Sequence, residues 1–140
     1  MEIKNFKLNR LIVLFIGTGL LVLAFEIYLM HYAQLSSKKI MWTPIIFGII
    51  GGPVVVLISI LFNKASHYLF LLLMVVSSFV GLLGLYLHNK WRFPSIINAL
   101  FFNRSFDFEI LTTYTPLLAP SAFIAIGGLG ILVALFEPWD

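Results

Sequence analysis

The sequence predicts an all-α integral membrane protein, a bundle of four transmembrane helices with an interfacial segment between the third and the fourth. Three observations carry that prediction. Hydrophobic residues make up 61% of the 140 residues and charged residues only 11%, less than half of the roughly 25% typical of soluble domains. The apolar residues gather into long runs, each close to the ~20 residues a helix needs to cross a ~30 Å hydrocarbon core. Those runs are apolar around the whole helix rather than along one stripe. A soluble four-helix protein of this composition would lack the polar residues to coat its outside.

The first run, Leu11–His31, follows Lys4, Lys7 and Arg10. It exceeds the 7–15-residue apolar core of a signal peptide, and its exit, MHYAQ, offers no small-x-small cleavage site, so it reads as a retained span. The second and third runs, Pro44–Phe62 and His67–His88, are joined by Asn63–Ser66. A connection this tight makes them antiparallel neighbours. Pro53 removes one backbone hydrogen bond from the second span and is expected to kink or loosen it. The fourth run is Pro116–Phe136, and the whole chain, 1–140, forms a single membrane domain.

The connection 89–115 is the long one. Within it PSIINALFFNR places Ile96, Ile97, Leu100 and Phe101 at helical spacing. Flanked by Trp91, Arg92 and Arg104, this piece fits a helix lying in the membrane interface. The following FDFEI alternates apolar and acidic residues and suits an extended segment, so the connection is expected to cap one end of the bundle. Glycines occur in every span, as GTG at Gly17–Gly19, GIIGGP at Gly48–Pro53, GLLG at Gly81–Gly84 and GGLG at Gly127–Gly130. Small residues let membrane helices approach closely.

An even number of spans puts both termini on one side. Lys4, Lys7, Arg10 and Lys64 on that side nearly balance Lys38, Lys39, Lys90, Arg92 and Arg104 on the other. The cluster before the first span favours cytoplasmic termini, in what reads as a bacterial inner-membrane protein. The scattered basic residues suit anionic headgroups. They form no stripe of the kind nucleic-acid binding requires. The absence of cysteine excludes disulfides, thiolate metal sites and cysteine catalysis. No phosphate-binding glycine loop, nucleophile elbow or H-E-x-x-H pair occurs, which leaves little basis for catalysis by this chain alone.

Ionisable residues at membrane depth are the remaining clues. Glu26 and His31 lie near the exit of the first span and His88 at the exit of the third, so antiparallel threading brings both exits to one face. His67 lies about 31 Å from His88 along its helix, at the opposite face with Glu137. Glu26 sits about 7.5 Å deeper than His31 and about 140° around the helix from it, so another helix must complete any site. Three chemistries suit Glu26, His31 and His88. A carboxylate with two imidazoles could hold zinc or iron, and an added methionine would shift the preference toward copper. His31 and His88 could be the axial pair of a b-type haem. Glu26, desolvated, could exchange a proton beside a substrate. The structural alternative is interfacial anchoring, the role that Tyr32, Trp42, Tyr68, Trp91 and Trp139 also suit. Ser77 and Ser78 are expected to bond their own helix backbone.

The motifs E-x4-HY at Glu26–Tyr32, MWTP at Met41–Pro44, GLYLH at Gly84–His88 and PLLAP at Pro116–Pro120 resemble those of small uncharacterised bacterial four-span membrane proteins. That resemblance covers about a third of the chain and implies no particular activity. The functional expectation is a small membrane subunit, an anchor or accessory of a larger complex of respiratory or redox type. Its partners would be the lipid bilayer and other membrane subunits, and its Glu26/His31/His88 face could seat a metal, haem or quinone. The alternative is a homo-oligomeric small transporter or channel with Glu26 as its proton or ion site.

Overall fold

The computed structural model of the chain describes residues 2–90, 94, 97–98, 118–136 and 139. Among them the regular structure is entirely helical: α1, Glu2–His31; α2, Trp42–Leu61; α3, Lys64–Asn89; and α4, Leu118–Phe136. By length and composition α1, α2 and α3 are long and apolar enough to cross a membrane, and α4 is a shorter apolar helix. α1 begins well before its apolar run, because the mixed, charge-rich segment from Glu2 to Arg10 continues the same helix. Likewise α3 starts at Lys64 and ends one residue beyond His88.

The ends of the helices follow from local chemistry. After His31 the chain tightens into a 3₁₀ turn, Tyr32–Gln34, with the Leu35 N–H bonded to the His31 carbonyl at 3.1 Å. Pro44 falls in the first turn of α2, where backbone N–H groups have no helical partner to lose. Pro53 does not end α2, which runs on through it to Leu61. Phe62 then adopts a left-handed conformation, φ 39°, and its N–H closes on the Ile58 carbonyl at 2.9 Å. Asn63 caps α3 reciprocally with Ser66. The Ser66 N–H donates to Asn63 Oδ1 at 2.9 Å, and the Asn63 N–H donates to Ser66 Oγ at 2.8 Å, a capping box. Phe62 and Asn63 alone join α2 to α3, so the expected tight antiparallel turn is present.

The helices pair unequally. α1 packs most extensively on α2, and α3 on α4, while α2–α3 and α1–α4 touch over smaller areas. Glycine makes the two intimate contacts. A methyl group at Gly48 would lie 2.6 Å from Ala24 Cβ and 2.7 Å from the Leu20 carbonyl oxygen, and one at Gly52 would meet Leu21 and the Gly17 carbonyl. On the other pair, Gly81 faces Ile124 and the Pro120 carbonyl, Gly127 faces Ser78 and the Met74 carbonyl, and Gly130 faces Met74. At Gly48, Gly52, Gly81 and Gly127 a backbone atom of the neighbouring helix is among the closest neighbours, whereas Gly130 meets only the Met74 side chain; small residues let apolar helices approach this closely.

A core of Val13, Ile16, Leu20, Ile45, Val55, Ile58, Phe70, Met74 and Phe123 fills the space between the helices. Ser77 departs from the expected pattern. Its hydroxyl donates to the Phe123 carbonyl across the α3–α4 contact at 3.0 Å, an acceptor that the close approach of α4 supplies. Ser78 does bond its own helix, donating to the Met74 carbonyl at 3.2 Å. Of the interfacial segment and the acidic stretch expected in 89–115, most lies outside the described residues. Pro94, Ile97 and Asn98 are helical and exposed.

Candidate functional site

The structure brings two of the three candidate residues together. His31, the last residue of α1, and His88, one residue from the end of α3, face each other with ring centroids 5.7 Å apart and planes tilted by 53°. Neither of the bundle's extensive pairings joins α1 to α3, so the two histidines meet across the bundle at one end. Both rings are half-buried. His31 Nδ1 lies 3.0 Å from the carbonyl oxygen of Ile27, one turn back. A carbonyl only accepts, so that bond puts the proton on Nδ1 and leaves Nε2 with a free lone pair.

Glu26 is not part of this pair. It lies on the outward surface of α1 with Val22, Phe25, Leu29 and Met30, all exposed. The five-residue spacing that turns Glu26 about 140° from His31 directs it away from the bundle when His31 turns inward. Among the described residues no three His, Asp or Glu side chains are placed to share a metal ion. Nor does any described residue offer the Glu26 carboxylate a hydrogen bond or an ion pair.

Several neighbours complete the histidine end. Trp42 donates its indole N–H to the Leu35 carbonyl at 3.2 Å, tying the start of α2 to the α1–α2 connection. Tyr28 meets Tyr32 edge to face at 5.6 Å and lies 6.5 Å from Trp42. Asn89, beside His88, is 1% exposed. Its Nδ2 donates to the Leu85 carbonyl at 2.9 Å, and its Oδ1 has no hydrogen-bond partner. Sequence reasoning passed over Asn89, although an amide closing an apolar run next to a histidine was the available signal.

The opposite end holds His67, as expected, in contact with α4 and with Trp139. His67 Nε2 bonds the Ala134 carbonyl of α4 at 2.8 Å, and its ring stacks at 5.1 Å on Trp139. Trp139 also stacks on Phe62 at 4.2 Å and approaches Phe70 at 5.3 Å, while the Arg10 guanidinium sits 5.5 Å from the Phe62 centroid. Trp139 is therefore a buried packing residue, because the turn at Phe62 presents it with an aromatic wall. Glu137 lies outside the described residues. No family model, curated protein or solved structure matches the chain.

Proposed function

We propose that the chain is a non-catalytic membrane subunit that docks on another membrane protein within the bilayer through the outward face of α1. The observation that carries this reading is the position of Glu26. A carboxylate facing lipid about 7.5 Å inside the end of its helix is costly unless something pairs with it. No described residue of this chain does so. The surrounding Phe15, Val22, Phe25, Leu29 and Met30 form an apolar surface on which a second helix can lie. The complement is a span of another polypeptide carrying a basic or hydrogen-bond-donating side chain at that depth. A parallel second copy would instead set Glu26 against Glu26, an unfavourable pairing of like charges.

In this reading α4 is the fourth span. Its 19 residues reach about 28 Å at 1.5 Å each, close to the hydrocarbon thickness. Both termini then share the cytoplasmic side of a bacterial inner membrane, with Lys4, Lys7 and Arg10 as the retained positive charge.

The test exploits the absence of cysteine, which makes any introduced thiol unique. Single cysteines at Val22, Phe25 and Leu29 are crosslinked in native membranes, and the products are identified by mass spectrometry. The expected result is one defined heterologous partner from all three positions, diminished by Glu26→Leu. A product of twice the 15.8 kDa chain mass would transfer the face to a homo-oligomer, the arrangement a transporter built around Glu26 requires. Absence of crosslinks from all three positions would refute docking there.

A further inference from the structure

We propose that His31 and His88 form a two-imidazole site for a divalent transition ion, zinc or copper, at the end of the bundle between α1 and α3. This inference rests on the histidine pair and is independent of the docking reading for Glu26. Imidazole nitrogen suits both ions, and a donor set without thiolate or carboxylate leaves the borderline metals as the fitting class.

The spacing fits an ion. With zinc–nitrogen distances of about 2.0–2.1 Å, each ring centroid stands about 3.2 Å from the metal. Two imidazoles at a tetrahedral angle then have centroids about 5.2 Å apart, and two opposed imidazoles about 6.4 Å apart. The observed 5.7 Å falls between these limits, so binding needs ring rotation rather than movement of the helices. It falls short of the opposed arrangement that a haem axial pair needs.

The tautomer fits as well. Metal-binding histidines characteristically donate their other ring N–H to a carbonyl or carboxylate. His31 does this through Nδ1 to Ile27, which aims its unprotonated Nε2 lone pair outward from its own helix. His67 shares the feature of a carbonyl-bonded nitrogen but has no second imidazole beside it, its ring neighbours being Tyr68 and Trp139. With two protein donors among the described residues, the remaining coordination positions are open to water or to a second ligand, which distinguishes the site from a closed structural zinc site.

The test uses the untagged full chain in lipid nanodiscs, stripped with chelator and titrated with zinc and then with copper. One ion per chain is expected. His31→Gln and His88→Gln should each weaken it by about tenfold or more, and His67→Gln should leave it unchanged. Because the chain has three histidines, imidazole nitrogen spectra of the unmutated protein give a readout free of any folding defect. Zinc should shift the resonances of two rings and leave the third. Equal binding by the His31→Gln/His88→Gln double variant, or zinc shifts at His67 alone or at none, would overturn the assignment.

Discussion

Gly127 and Gly128 are neighbours in α4, yet alanine at the two positions should have opposite effects. A methyl group at Gly127 would stand 2.7 Å from the Met74 carbonyl oxygen and 2.8 Å from the Ser78 nitrogen, and would also meet Ser78 Oγ. The serine side chain can rotate away, but the two backbone atoms cannot. Ordinary contact begins near 3.4 Å, so α3 and α4 must separate by about 0.7 Å, the difference between 3.4 and 2.7 Å. That separation loosens the contacts at Gly81 and Gly130 and stretches the Ser77–Phe123 hydrogen bond, all on the same seam. Overpacking of this kind costs about 1–3 kcal/mol. At Gly128 no atom lies within 4 Å of the added carbon, and alanine there gains helix propensity, worth up to about 1 kcal/mol in water. Reversible unfolding in mixed micelles, followed by tryptophan fluorescence, measures both variants against the parent. Equal destabilisation by the two, or an unaffected Gly127→Ala, would refute the close packing of α4 on α3.

Four further outcomes are expected from the same unfolding measurement. Ser77→Ala should cost about 0.6 kcal/mol, the usual worth of a hydrogen bond between membrane helices. Asn63→Ala, which removes the reciprocal cap of α3, should cost about 1 kcal/mol. Trp139→Ala loses aromatic contacts with Phe62, His67 and Phe70; at about 0.5–1.5 kcal/mol for each aromatic pair, a loss of about 2 kcal/mol is expected. Glu26→Gln should leave the isolated chain within about 0.5 kcal/mol of the parent, as for other exposed positions, so any effect on partner crosslinking reports association alone.

Much of the architecture was legible because the period and length of an apolar run are local properties. The runs ending at His31, Phe62, His88 and Phe136 each correspond to a helix, and antiparallel threading sufficed to set His31 against His88. Helix starts were less legible. The segment from Glu2 to Arg10 is rich in polar and charged residues, and hydropathy cannot distinguish a helix that leaves the membrane from one that stops there. Rotation about the helix axis was the other gap. The 140° between Glu26 and His31 excluded a shared face, but only the packing of α1 on α2 decides which of the two turns inward. Ser77 and Trp139 depended likewise on contacts distant in sequence, with Phe123 for the first and with the Phe62 turn for the second.

The unequal pairing of the helices has a mechanical consequence. α1 with α2 and α3 with α4 form the two extensively packed pairs, and the smaller α2–α3 and α1–α4 contacts make the seam between them. His31 belongs to one half and His88 to the other, so their separation gauges how far that end of the seam has opened. Anything that bridges the two rings acts as a clasp on the seam, and prying the halves apart releases it. At the far end Trp139 is wedged against Phe62 and His67 beside the α2–α3 turn, where the halves are covalently joined. The two pairs are thus covalently joined at the Trp139 end, and the His31/His88 pair spans the seam at the other.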